Sequence, residues 1–121
     1  MAPRDTGERR KAFRRGIVSE YVAALYLLLH GHRIVALRYR TKSGEIDLIA
    51  RKGDLVRFVE VKARADTASS VFAVTGETQR RIRNASDFWL SRQPDAARLS
   101  ASYDIVAVRP WRLPVHLKDA F

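Results

Sequence analysis

Two short segments constrain this chain more than any others: Gly44-Glu45-Ile46-Asp47-Leu48-Ile49-Ala50 and Phe58-Val59-Glu60-Val61-Lys62. Each reads as a strand rich in Val, Ile, Leu and Phe, with carboxylates set among the apolar residues. Burying an unpaired carboxylate is expensive, so a strand selected for packing alone should avoid one. Lys52-Gly53-Asp54 between the segments is a tight connection, which predicts an antiparallel hairpin. Residues i and i+2 of a strand share a face, so Glu60 and Lys62 project together, and Asp47 joins them if the strands pair. On the same alternation Glu45, Asp47 and Ile49 share one face of their strand, and Ile46, Leu48 and Ala50 the other. Leu55, Val59 and Val61 form one face of the next strand, and Val56, Phe58, Glu60 and Lys62 the other.

The rest of the chain builds around that hairpin. Residues 1–8 read as a flexible basic tail and residues 9–121 as a single domain. From Glu8 to His30 the pattern is helical, with Phe13, Ile17, Tyr21, Ala24 and Leu28 as an apolar stripe and Gly31 as the stop. Arg33–Arg40, Glu45–Arg51 and Leu55–Arg64 read as three strands, and Ala65–Ser70 as a loop. Thr75 is placed to cap a second helix running to Arg92, with Glu77 in its first turn and Ile82, Ala85, Phe88 and Trp89 buried. Ser102–Val108 is a fourth strand and Leu113–Leu117 a short fifth. The fold class is α/β: a mixed sheet flanked by helices in the order αβββαβ.

Composition narrows the partner. The chain has 121 residues, of which 46% are hydrophobic, enough for one modest core. With 23 basic and 13 acidic residues the formal net charge is +10, which suits a polyanion, nucleic acid before membrane surface. There is no cysteine, so disulfide frameworks and cysteine metal sites are excluded, and a cytoplasmic location is permitted. The apolar run Tyr21–Leu29 is too short to span a bilayer. Arg9, Arg10, Lys11, Arg14 and Arg15 cluster on the first helix, and Arg80, Arg81 and Arg83 on the second. Arg38, Arg40 and Lys42 flank the carboxylates. These groups suit phosphate contacts, with steep salt dependence, or form solvated faces.

Asp47 and Glu60, with the Val61 carbonyl, offer oxygen ligands for Mg²⁺ or Mn²⁺, and Lys62 a group to orient water or stabilise a phosphoryl transition state. The alternative is a solvent-facing salt-bridge ladder on a hairpin. Glu20, within the helical stripe, either completes such a site or pairs with an arginine. Glu45, beside the turn, is solvated or supports the ligands. His30, His32 and His116 lack metal-ligand spacing and read as surface or capping residues. Trp89 reads as core; Trp111 stacks on a base, sits in a dimer contact, or covers the sheet edge.

At these residues the chain resembles a known family. Asp47 followed by Glu60-Val61-Lys62 is similar to the D…(D/E)xK signature of the restriction-endonuclease-like nuclease superfamily. Gly16-x-x-x-Glu20-x-x-Ala23, Gly44–Ala50, Phe58–Lys62 with Arg64, and Tyr103–Val108 resemble the blocks of its small bacterial YraN-like branch, related to archaeal Holliday-junction resolvases. The resemblance covers residues 10–108. It implies the restriction-endonuclease-like αβββαβ core, Asp47 and Glu60 as metal ligands, Lys62 as the catalytic lysine and Glu20 as the helix carboxylate. The implied protein is a Mg²⁺- or Mn²⁺-dependent endodeoxyribonuclease acting on branched or structured DNA, with a homodimer for two symmetric cuts. Arg14, Arg15, Arg38, Arg40, Lys42, Arg64, Arg80 and Arg81 are the expected nucleic-acid contacts. Thr78 stands where the family usually has a lysine, and Arg38-Tyr39-Arg40 where it has Asn-Arg. A nucleic-acid-binding module of the same fold without catalysis, or a basic docking protein for an acidic partner, are the other readings.

Overall fold

The computed structural model describes residues 6–63 and 74–121, with side chains from Gly16 onward. The elements are α1 (Thr6–Leu29), β1 (Arg33–Thr41), β2 (Gly44–Lys52), β3 (Leu55–Ala63), α2 (Gly76–Ser91), a 3₁₀ turn (Ala96–Arg98), β4 (Ser100–Val108) and β5 (Val115–Leu117). The expected order αβββαβ with a fifth strand is present. Residues 1–5 of the expected tail and the loop Ala65–Ser70 lie outside the described residues, while Thr6–Glu8 already belong to α1. Among the described residues no helix is long and apolar enough to cross a membrane.

Local signals set the helix ends. Gly31 at φ +86° closes α1. Its N–H donates to the Leu28 carbonyl and that of His32 to Leu27, the Schellman pattern that occupies otherwise orphaned carbonyls. Thr75 caps α2, its Oγ1 accepting from the Thr78 N–H at 3.3 Å.

The five strands lie in the order β1-β2-β3-β4-β5, antiparallel except for the parallel pair β3–β4, whose crossover contains α2. The central strands are apolar on both faces because a helix covers each side. On one, Ala23, Ala24 and Leu27 of α1 pack on Leu48, Ala50, Val59 and Val106. On the other, Ile82, Ala85 and Trp89 of α2 pack on Ile46, Ile49, Val56 and Phe58. Gly44 permits the second contact: a Cβ there would sit 1.9 Å from the Arg81 carbonyl oxygen.

Three expectations are corrected. Ala24 of the expected α1 stripe is buried, but Tyr21 and Leu28 are 62% and 54% exposed, and Ser19, Ala23 and Leu27 are buried instead. Residues 21–29 are apolar almost all round, so several stripes compete, and the small pair Ala23–Ala24 lets the helix approach most closely. Phe13 lies where side chains are outside the described residues. In α2, Phe88 is 44% exposed and Ser86 is buried, its hydroxyl bonded to Tyr103 Oη at 2.8 Å. In β2, Ile46 packs with Ile49 rather than with Leu48 and Ala50, so the alternation breaks at Asp47. Arg38, across from Asp47 between the Leu37–Leu48 and Tyr39–Ile46 pairs, has φ +54° and turns the strand over at the same level.

A buried polar cluster ties the elements together. Asp104 Oδ2 accepts from Arg57 Nη1 at 2.8 Å and meets His116 Nε2 at 2.6 Å, while its Oδ1 accepts from the Asp119 N–H and from Ser102. Arg57 Nε donates to His32 Nε2 at 3.1 Å, and His32 Nδ1 lies 3.1 Å from the Leu27 carbonyl. Burial alone would raise the Asp104 pKa; the hydrogen bonds from His116, Ser102, Asp119 and Arg57 outweigh it and hold the group at about 2. His32 and His116 are therefore interior network residues, correcting the surface reading, whereas His30 caps α1 through the Tyr26 carbonyl.

Candidate functional site

The carboxylates meet at the end of the sheet formed by the start of β2 and the end of β3. The β2–β3 ladder runs from Lys52–Leu55 to Leu48–Val59, and just beyond it the side chains of Asp47 and Glu60 hydrogen-bond. There the Val61 N–H donates to Asp47 Oδ2 at 2.9 Å. Glu60 continues the face that carries Phe58 and is pulled inward with it. Its pKa is pushed up to about 9, first by burial, then by the hydrogen bond and charge of Asp47 and by Glu45, against the opposing charge of Lys62. At neutral pH Glu60 is therefore protonated beside Asp47.

Around Asp47 a cleft of about 160 Å³ is lined by Glu20, Arg38, Arg40, Glu45, Ile46 and Asp47. Glu20 Oε1 accepts from Arg38 Nε at 2.6 Å, so the arginine pairing foreseen as one alternative for Glu20 is formed. Arg40 and Glu45 approach to 3.6 Å at the exposed rim, a contact of small energetic weight. Glu60 and Lys62 do not line this cleft; Glu60 hydrogen-bonds Asp47 at its wall, and the charge of Lys62 acts on Glu60.

The remaining expected residues are placed more loosely. Lys42 is exposed in the β1–β2 turn, and Arg80 and Arg81 are exposed on α2, which the Gly44 contact draws over that turn. Val61 contributes its N–H to Asp47; its side chain packs toward α1. The side chains of Arg14 and Arg15, and all of Arg64, lie outside the described residues.

A larger cleft, about 570 Å³, lies at the opposite end of the strands beside Arg33, Arg51, Lys52, Asp54 and Asp95. Its charges are engaged with each other, Arg51 donating to Asp95 at 2.6 Å, so it clamps the β2–β3 turn to the 3₁₀ turn.

The donor set at the first cleft suits a hard cation. Mg²⁺ and Mn²⁺ take oxygen ligands and often use only one or two carboxylates with water and phosphate. Asp47 and Glu60 supply two adjacent carboxylates, and a cation there would displace the proton that Glu60 carries. Among the described residues no group of three or more His, Cys, Asp or Glu side chains is arranged to hold a metal. Sequence reasoning missed Arg57 and Asp104. The visible signal was an arginine inside Leu55–Val61 and an aspartate inside Tyr103–Val108, each flanked by core residues.

Fold and site together define a small α/β protein with a carboxylate pair at one end of a mixed sheet. The chain belongs to the family described as "Uncharacterised protein family UPF0102", the YraN-like proteins, whose pattern matches residues 19–108. It is 66% identical over 116 residues to a UPF0102 protein of Rhizobium etli, covering 96% of this chain and 95% of that protein. A UPF0102 protein of Rhizobium leguminosarum bv. trifolii is 65% identical over the whole of both chains. One from Agrobacterium fabrum is 62% identical over 96% of this chain and 95% of its own length.

Proposed function

We propose that the protein is a Mg²⁺- or Mn²⁺-dependent endonuclease of the restriction-endonuclease-like superfamily, hydrolysing phosphodiester bonds in branched or otherwise structured DNA. The observation that carries this reading is the Asp47–Glu60 pair on adjacent strands, close enough for Asp47 to hydrogen-bond Glu60 and raise its pKa, with Lys62 two residues on. Proteins built only for stability seldom set two half-buried carboxylates against each other.

In this reading Asp47 and Glu60 hold the cation, with the Val61 carbonyl as a further oxygen ligand. A cation bound there supplies charge neutralisation on the phosphodiester and acidity to a coordinated water. Asp47 is fixed for that duty by the Val61 N–H. Lys62 projects from the same face as Glu60, where its ammonium orients the attacking water or the scissile phosphate. Glu20 keeps Arg38 pointed into the cleft beside Asp47, positioning a guanidinium for the phosphate backbone. Arg40, Lys42, Arg80 and Arg81 extend a basic track for the strand, and Arg14, Arg15 and Arg64 are the further contacts the resemblance implies. A homodimer, which two symmetric cuts in a four-way junction require, belongs to the same proposal, with the cytoplasm as its setting.

The test is cleavage of a labelled four-way junction, with duplex and single-strand controls, in Mg²⁺ and Mn²⁺. The native chain is expected to cut. Asp47→Ala, Glu60→Ala and Lys62→Ala are each expected to lose roughly 100-fold or more in rate, the scale of losing one transition-state contact. Binding without cuts, unchanged by the three variants, overturns the catalytic reading. It leaves a nucleic-acid-binding module, the runner-up favoured by the engagement of Glu20 with Arg38.

A further inference from the structure

The connection between β4 and β5, Arg109-Pro110-Trp111-Arg112-Leu113-Pro114, holds the most exposed large side chain among the described residues. Trp111 is 102% exposed, fully clear of the sheet edge that it was one alternative for it to cover. Its φ of +57° is a backbone conformation that bulky L residues avoid. The loop is nonetheless tied: Arg109 Nη2 donates to the Leu113 carbonyl at 3.1 Å, and prolines flank the segment on both sides of the tryptophan. Strain held in place by a braced loop, at a residue that contributes nothing to the core, marks a group kept for contact with something else.

Its position says what that is. Lys62 pairs in register with Ala107 and Ala107 with Val115, so the loop leaves the sheet at the same end as Glu60 and Lys62. With about 4.8 Å between strands, β5 lies roughly 10 Å from β3. Arg112 beside Trp111 is exposed, and the net charge of the chain is +10, so a polyanion is the partner that charge favours. A flat indole presented with cations at its side matches the way proteins hold unpaired bases, where stacking supplies affinity without sequence preference.

We propose that Trp111 is a stacking platform for an unpaired nucleobase of the strand whose phosphodiester is seated at Asp47 and Glu60. The substrate class is therefore a nucleic acid with a base out of its stack, as at a gap or branch. This deepens the endonuclease reading and rests on its nucleic-acid partner, though not on cleavage.

The experiment measures affinity of the full chain, in EDTA so that no cut occurs, for three DNAs. They are a duplex with a three-thymine gap strand, the same construction with abasic sites in place of the thymines, and a continuous duplex. Trp111→Asn keeps a residue that tolerates the φ of this position and removes the ring. It is expected to weaken binding of the thymine DNA about 10-fold, the low end of base–aromatic stacking, and to change the other two less than about 2-fold. Trp111→Tyr is expected to restore most of the loss, and tryptophan fluorescence of the native chain to quench with the thymine DNA alone. Equal losses on all three DNAs, or none on any, overturn the stacking proposal. No binding to any of them overturns it together with the nucleic-acid reading. Junction cuts abolished by Asp47→Ala alongside unaltered affinity in Trp111→Asn overturn the stacking proposal alone.

Discussion

Glu60 shows how burial beside a second carboxylate changes the protonation of one residue. Its folded pKa stands at about 9 against an ordinary 4.5, so the protonated form is favoured in the fold. The stability linked to this group is therefore present at low pH and is lost as pH rises from 4.5 toward 9. Glu60→Gln, which keeps the hydrogen bond to Asp47 without the charge, is expected to stabilise the metal-free protein at pH 8 by on the order of 1–2 kcal/mol. With Glu60 as a ligand, as proposed, Mn²⁺ is expected to raise the melting temperature of the native chain and the same substitution to abolish that rise. Thermal scans at pH 6 and pH 8, with and without Mn²⁺, check both; a variant that still gains from Mn²⁺ sinks the assignment of Glu60 as a ligand.

At the scale of an element, α1 is the informative case. Nearly every residue from Tyr21 to Leu29 is apolar, so the helix has no single apolar face to read. The sheet selects the face through Ala23 and Ala24, whose small side chains allow close approach, and Leu27 fills the space beyond them. Adjacent leucines therefore differ sharply. Leu27→Ala is expected to cost about 2–5 kcal/mol, because it leaves a cavity under the helix. Leu28→Ala should stay within about 0.5 kcal/mol, since Leu28 projects to solvent. Urea denaturation of the two variants tests the rotation of the helix; equal costs would mean that α1 faces the sheet differently.

At the scale of the whole molecule, the Asp104 cluster joins what the sheet alone leaves separate. It links the end of α1 through His32, β3 through Arg57, β4 through Ser102, β5 through His116 and the C-terminal turn through Asp119. Removing one member of a buried charged set leaves its partner uncompensated, so Asp104→Ala is expected to cost about 3–5 kcal/mol. The cluster also sets an acid limit. Burial holds the His32 pKa below 6.5, with the charge of Arg57 adding to it against the Leu27 hydrogen bond. The fold thus needs neutral His32, and that share of stability is lost as pH falls below 6.5. Asp104 adds a second loss between 3.8 and about 2. Melting temperature against pH should fall in two stages on the acid side, and His32→Gln should flatten the first; a single stage near pH 4, unchanged by that variant, would contradict the role of His32.

The sequence by itself determined the order of elements and nearly all their boundaries, because those follow from local signals. Apolar periodicity, Thr75 as a cap, Gly31 as a stop and Gly53 in the turn act over a few residues and need no distant partner. It also marked Asp47 and Glu60, since an acid within an apolar strand stands out wherever that strand goes. What the tertiary structure decided depends on residues far apart in the chain. Which side of α1 meets the sheet, the exchange of Phe88 for Ser86 beneath α2, and the break in β2 at Asp47 all depend on what packs opposite. The pairing of Arg57 with Asp104, 47 residues apart, has the same origin. A strand pattern records that a charge is inside, whereas only the fold supplies the partner that makes its burial stable.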